Sequence, residues 1–284
     1  MTAFIGGAIT ALFFTGSILS STRATRMVGP VATLAGVMLV SAVVSTPIVL
    51  LTTVGTPFPT DALFWLFVAG AGNVGGLLSE YIGLRTGKVG VVGALAAAEG
   101  AVSAVLAVIA GEVLGPVAAV GVAAVGLGVV LTAFSPDPVD IEVSNGRTRS
   151  AVLFGAIAGL AFGASLYATG RLGATLPVGW ALVPPRAIGV LAITLPAIAT
   201  GRFRIAPPAR KFVIVAGVCE VGGFMTFALS AADSIAVTSA LAAQFASLAA
   251  IVAWLRFGEH LSRRQWLGVA TVAIGVVVLA FGSV

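Results

Sequence analysis

Three acidic residues, Glu80, Glu99 and Glu220, fall inside long apolar runs, as does one arginine, Arg186. A charge at the centre of a bilayer costs about 3 kcal/mol on insertion scales, so groups that persist there need a partner or a hydrated cavity. Carboxyl groups so placed can carry protons, pair with a cation or hold the charged part of a solute. Other chemistry lacks its residues. The single cysteine, Cys219, lies in an apolar segment, and the single histidine, His260, lies in a loop, so metal ligands are missing. No Asp-x-x-Asp, no deep histidine and no Gly-x4-Gly-Lys-Ser/Thr motif occurs. The residues therefore predict no catalytic centre, no metal and no cofactor.

The candidate residues fall on particular segments. Asn73 and Glu220 are 147 positions apart, a spacing that recurs below. They are expected near mid-depth, lining a solute path or joined by an interhelical hydrogen bond. Glu80 follows Asn73 on the same helical face with Tyr81 beside it, and is read as a cavity-mouth acid or a partner of Arg85. Glu99 is a candidate proton carrier or the ion-pair partner of Arg186. Arg186 could equally hold a carboxylate or phosphate on a solute. Tyr167, Gln244 and Ser247 offer neutral hydrogen bonds to a solute or to a neighbouring helix. Asp233, Glu112 and Glu259 are read as helix caps, the two glutamates capping the helices that directly follow them.

The segments that carry these residues are membrane spans. Of 284 residues, 59% are hydrophobic and only 9% charged, and mean hydropathy is +1.13. A chain so apolar has lipid as its solvent. Continuous apolar runs predict ten helices, at 2–20, 32–54, 62–84, 89–110, 117–134, 151–170, 179–200, 211–231, 235–255 and 265–283. Of the 15 Lys and Arg residues, 13 fall in odd-numbered loops and only Arg171 in an even one. The positive-inside rule then puts the odd loops in the cytoplasm and both termini outside, in a plasma or inner membrane. The net charge of +5 is dispersed among short loops, so nucleic acid is not an expected partner.

Residues 68–134 align with 215–281 without a gap, identical at 20 of 67 positions. Chance in so biased a composition would give about 10%. Val68-Ala69-Gly70 answers Val215-Ala216-Gly217, Val74-Gly75-Gly76 answers Val221-Gly222-Gly223, and Gly111-Glu112-x-Leu114 answers Gly258-Glu259-x-Leu261. A shift of 148 aligns Gly7-Ala8-Ile9 with Gly155-Ala156-Ile157. The chain thus reads as a five-helix unit at 1–134, a polar linker at 135–150 and a second five-helix unit at 151–284. Five is odd, so the second unit enters the membrane from the opposite face, giving inverted repeats. Glycines at seven-residue spacing on spans 5 and 10 are expected to pack the halves together or to form a dimer seam. Gly155, Gly159 and Gly163 should let a neighbouring helix come close, and Gly6, Gly7 and Gly16 could loosen span 1 as a gate.

The segment Gly258-Glu259-x-Leu261 followed by a Gly-rich last helix, with its weaker echo in the first unit, resembles the end of an EamA-type repeat. With ten spans in two fives, the whole chain resembles the EamA branch of the drug/metabolite transporter superfamily. The resemblance implies an all-α fold of ten transmembrane helices. It also implies secondary export or exchange of a small metabolite, amino acid or drug-like solute by alternating access, as a monomer or homodimer among lipids. Members often have a proline midway along helices 4 and 9, where this chain has Ala98-Glu99 and Gln244-Phe245. Protons are a compatible coupling ion, since no nucleotide site is present. Two other readings are a channel or membrane scaffold and an intramembrane lipid-modifying enzyme. A channel usually needs a ring of subunits, and the enzyme lacks paired acids or a nucleophile with its base.

Overall fold

The computed structural model describes residues 1–86, 89–133, 145–257 and 263–282. Lys88, residues 135–144 of the expected linker, and Gly258, Glu259, His260 and Leu261 lie outside the described residues. Residues 145–150, expected as linker, instead begin a helix.

The described residues are all-helical, without a strand. The helices are α1 (Thr2–Val28), α2 (Pro30–Thr53), α3 (Leu63–Thr86), α4 (Val89–Ala96), α5 (Glu99–Ile109), α6 (Pro116–Ala133) and α7 (Asn145–Thr175). They continue as α8 (Val178–Gly189), α9 (Leu195–Ala199), α10 (Pro207–Ser230), α11 (Ile235–Ala242), α12 (Phe245–Phe257) and α13 (Arg263–Gly282). Among the described residues six helices are long and apolar enough to cross a membrane: Thr2–Val28, Pro30–Thr53, Thr60–Arg85, Ser150–Thr175, Val178–Ala199 and Pro207–Ser230. The expected spans at 117–134 and 265–283 coincide with α6 and α13, and those at 89–110 and 235–255 with the interrupted pairs α4–α5 and α11–α12.

The outside of the bundle is apolar, and its interior holds polar and charged groups among the core hydrophobics. Leu12, Val43, Leu51, Phe64, Phe67, Leu160 and Ile274 are exposed, whereas Asn73, Glu80, Glu99, Ser103, Ser165, Arg186, Thr194 and Glu220 are buried. That is the distribution expected when lipid surrounds the protein and polar groups must find partners inside it. Interhelical hydrogen bonds supply some of those partners. Ser165 Oγ donates to the Ala69 carbonyl at 2.7 Å, Ser41 Oγ to Gly217 at 3.1 Å and Thr194 Oγ1 to Ala35 at 3.0 Å.

Small residues set the packing. Gly155 and Gly159 of α7 lie against Leu95 of α4, and Gly163 lies against Val102 of α5. Numbers rise together along this contact, so α7 runs parallel to α4 and α5. The same holds for α1 and the α11–α12 pair, where Gly7 meets Thr238 and Leu241 of α11 and Thr15 Oγ1 donates to the carbonyl of Phe245 in α12 at 3.3 Å. By contrast α1 runs antiparallel to α10, since Gly6 meets Ser230, Thr10 bonds Thr226 and Arg23 lies over Phe212. α3 runs antiparallel to α7, with Gly83 against Phe154 and Trp65 against Tyr167. Gly6, Gly7 and Gly16 are therefore contact surfaces of an unbroken helix. Gly275 of α13 meets Ala124 and Val125 of α6, a contact within the chain.

Exchanging the two sequence units maps this contact scheme onto itself. α3 lies along α7 as α10 lies along α1; α3 meets α8 as α10 meets α2; and α6 pairs with α13. The expected spans at 89–110 and 235–255 are both interrupted. Two-residue turns, Ala97–Ala98 and Ala243–Gln244, separate α4 from α5 and α11 from α12 without any proline. The seventh expected span is also irregular, because a π-helical stretch at Val190–Thr194 follows Pro184 and Pro185.

The caps correct two expectations. Ser234, not Asp233, caps α11, its Oγ accepting from the Val237 amide at 3.1 Å. Asp233 instead accepts from Thr2 Oγ1. Glu112 does not cap the helix that follows it. Its carboxylate reaches into the other unit and accepts from the Ile235 and Ala236 amides at 3.1 and 3.3 Å and from Ser234. An acid at a helix N-terminus satisfies free amides and complements the dipole. Glu112→Ala should cost about 1–2 kcal/mol. It should raise amide exchange at Ile235 and Ala236 while leaving mid-α10 protected, as read by hydrogen exchange; unchanged exchange at α11 would contradict this.

Candidate functional site

The two helix interruptions come together. Gly100, in the first turn of α5, packs against Ser239 and Ala243, and the Ser103 and Ser239 hydroxyls share a 2.7 Å hydrogen bond. Ending one helix and starting another inside the bundle exposes backbone groups and aims a dipole. Glu99 opens α5 and Phe245 opens α12, so each interruption puts a side chain at the start of a new helix.

Between the interruptions lies a small cavity with room for only a few water molecules. α1 contributes Phe14, Ser17 and Ile18, α3 contributes Leu77 and Glu80, and α5 contributes Glu99. Phe162 comes from α7, Glu220 and Phe224 from α10, and Phe245 from α12. All three deep glutamates thus reach one space, although they come from three helices of both sequence units. They are near enough to interact electrostatically with one another.

Asn73 and Glu220, equivalent in the two units, meet directly: Asn73 Nδ2 donates to Glu220 Oε1 at 3.0 Å. Ser17 Oγ donates to Glu220 Oε2 at 3.3 Å. Glu220 is therefore held by two neutral donors on α1 and α3. Glu99 is held less firmly, since its Oε1 has no hydrogen-bond partner. The expected ion pair of Glu99 with Arg186 is not formed. Arg186 is buried on α8 with its guanidinium carbon 5.5 Å from the Phe224 ring centroid, and none of its three nitrogens has a hydrogen-bond partner among the described residues. It sits close enough to Glu220 for attraction and is stacked on Phe224, a ring that lines the cavity.

Other candidates are placed around this centre. Tyr81 is fully buried next to Glu80, with its hydroxyl unpartnered. Gln244 forms the second interruption; its Nε2 donates to the Ala240 carbonyl at 3.1 Å and its Oε1 is free. Ser247 is buried with an unpartnered hydroxyl. Tyr167 stands elsewhere, packed edge-on to Trp65 at 5.5 Å and accepting from Arg171 at 3.2 Å.

The aromatic wall was missed by reasoning from charged and polar types alone. The repeat register carried the signal. Phe14 and Phe162 are 148 positions apart, and Leu77 and Phe224 are 147 apart, matching the two internal alignments. The repeated Val-Gly-Gly also has its explanation here. Gly76 lies against the Phe162 ring, and its counterpart Gly223 lies against the Phe14 ring. Each unit supplies a glycine that seats the other unit's phenyl group.

No family model and no curated protein matches the chain. Among solved structures, 26 chains match, so the architecture is not peculiar to this sequence. One, described only as "Crystal structure of protein", has a TM-score of 0.71 at 18% identity, covering 98% of this chain and 97% of that chain. At that identity the likeness establishes a shared fold over the whole length and nothing further.

The adjacent glycines of α3 give a paired test. A Cβ at Gly76 would stand 2.5 Å from the Phe162 ring, whereas a Cβ at Gly75 meets nothing within 4 Å. Gly76→Ala should destabilise by about 1–3 kcal/mol through overpacking. Gly75→Ala should be neutral or stabilising by up to about 1 kcal/mol, since alanine is the better helix former. Thermal unfolding of the two variants in detergent checks the opposite signs; equal effects would contradict the seating of Phe162.

Proposed function

We propose that the chain is a secondary transporter of the EamA type, with ten transmembrane spans in two inverted five-helix units. It moves a small metabolite, amino acid or drug-like solute by alternating access. The observation that carries the reading is the cavity between the units, in which Glu80, Glu99 and Glu220 share one buried space.

Helix directions support the inversion. α1 runs with α11, α5 runs against α11, and α7 runs with α4 and α5. The first helix of the second unit therefore opposes the first helix of the first. Interrupted helices at the unit interface fit a mid-membrane binding site about which two halves rock. The odd loops, rich in arginine and lysine, face the cytoplasm in this reading, with both termini outside.

Glu99 and Glu220 have different tasks. Glu220 is fixed by Asn73 and Ser17, so it links α1, α3 and α10 and reports its occupancy to all three. Glu99, free at one oxygen and placed at a helix start, is suited to take up and release a proton as the cavity opens to either side. Energy then comes from a proton gradient.

Reconstitution into liposomes with a panel of labelled metabolites, amino acids and lipophilic drugs tests this directly. At least one solute should move faster when a pH gradient is imposed. Glu220→Gln, which keeps an acceptor for Asn73, should lower that flux by about two orders of magnitude while elution and thermal unfolding stay close to the parent's. Full flux in that variant would reject the role given to Glu220. Tags at the two ends should react from outside intact cells; labelling only after permeabilisation would reverse the orientation.

A further inference from the structure

We infer that the groove between α2 and α10 seats an acyl chain of a phospholipid whose anionic headgroup rests on Arg210 and its basic neighbours. The inference does not depend on which solute, if any, the central cavity serves.

The groove follows from how two helices meet. α2 and α10 run side by side in the same direction, since Gly36 lies against Val213 and, further along both, Ser41 Oγ donates to the Gly217 carbonyl at 3.1 Å. Along this seam lies a space of about 440 Å³, in the range of small-molecule sites. Buried Gly36 and Val213 form its floor, and Leu39 and Ile214, both exposed on the outside of the bundle, form its sides.

The loop before α10 closes one end and is held in place. Gly201 ends α9 with a φ of 66°; its N–H donates to the Ile198 carbonyl at 3.1 Å, and the Arg202 N–H donates to Ala197 at 2.8 Å. This is the Schellman pattern, which glycine permits. The Phe203 N–H returns to the Ala197 carbonyl at 2.9 Å, and Phe203 and Ile205 border the groove. A loop tied down in this way has its ordering cost met before a ligand arrives.

The charge at this end has one sign. Arg202, Arg204, Arg210 and Lys211 are all exposed, and Arg210 itself lines the groove. Arg23 reaches the same end from α1, lying 5.5 Å from the Phe212 ring that Lys211 also covers at 5.1 Å. Neither residues 1–60 nor residues 143–219 include an acidic residue, so the segments that build the groove bring no carboxylate to it. Pro207 and Pro208 open α10 without N–H groups, which leaves the basic side chains as the donors.

These features select the occupant. A chain of this hydropathy has lipid around it, and the groove opens outward. Arg210 lies in the first turn of α10, whereas Ile214 and Leu39 lie about 10 to 14 Å along their helices from the same end. A guanidinium at the mouth of an apolar groove of that depth matches a phosphate joined to an acyl chain. A soluble anion would use the arginine and leave the apolar walls bare. A second copy of the chain in a twofold contact would bring this basic patch against itself.

Native mass spectrometry of the purified full chain in detergent micelles, titrated with dioleoylphosphatidylglycerol or dioleoylphosphatidylcholine, tests the assignment. The anionic lipid should bind about tenfold more tightly than the zwitterionic one. Arg210→Gln should weaken binding of the anionic lipid about fivefold. Ile214→Trp, which fills the groove, should weaken both lipids about tenfold with thermal unfolding close to the parent's. Arg264→Gln, an exposed arginine of α13 outside the groove, should leave binding unchanged. Equal binding of the two lipids, an equal loss in Arg264→Gln, or full binding in Ile214→Trp overturns the inference. Displacement of the lipid by inorganic phosphate would make the ligand a soluble anion and overturn it too. So would a dimer in lipid-free micelles that Ile214→Trp dissociates, since the occupant would then be a second copy.

Discussion

The hydrogen bond from Asn73 to Glu220 is the contact around which this structure is organised. It joins positions that the internal sequence match makes equivalent, and it ties α3 to α10. A carboxylate taken out of water needs donors, and Asn73 and Ser17 provide them from two other helices. Tying Glu220 in this way pulls α1, α3 and α10 together and leaves the cavity between them. The other two deep acids are tolerated because they border the same space.

The price of an interior rich in polar groups is close helix contact, and glycine meets it repeatedly. Gly155, Gly159 and Gly163 bring α7 onto the α4–α5 pair just where that pair is interrupted. Gly76 and Gly223 seat phenyl rings from the opposite unit. The turns at Ala97–Ala98 and Ala243–Gln244 occur without proline, although proline is the usual cause of a break. In their place Gly100 meets Ser239 and Ala243, and the bonded pair of Ser103 and Ser239 binds the two half-helices where they cross. Helix starts thereby fall beside the cavity instead of at a membrane surface.

Much of this was legible in sequence because lipid imposes simple rules. Continuous apolar runs gave helix positions to within a few residues for α2, α3, α8 with α9, and α10, and the internal match paired Asn73 with Glu220. Helices α1 and α7 run beyond their expected spans, since polar residues such as Arg23 and Arg26 do not end a helix. The interruptions were not legible, because alanine is a good helix former and nothing local marks Ala97 or Ala243 as a turn. Glu112 was assigned to the wrong helix because capping was read from neighbours in sequence, while its partner helix is more than a hundred residues away. The aromatic wall escaped notice because phenylalanine is ordinary in a lipid-soluble chain, and only the equivalence of Phe14 with Phe162 sets these rings apart. Arg186 was sought as a partner of Glu99, but stacking on Phe224 directs it elsewhere.

The central claim is that water reaches the glutamates from each side of the membrane in turn. Leu77, which lines the cavity one turn before Glu80, is the place to test it. Leu77→Cys, made with Cys219→Ala so that no other thiol is present, can be challenged in oriented vesicles with a small membrane-impermeant thiol reagent. The account predicts modification from both faces, with the two rates shifting in opposite directions when the pH gradient is reversed. A thiol that reacts from neither face, or from one face under every gradient, would contradict it.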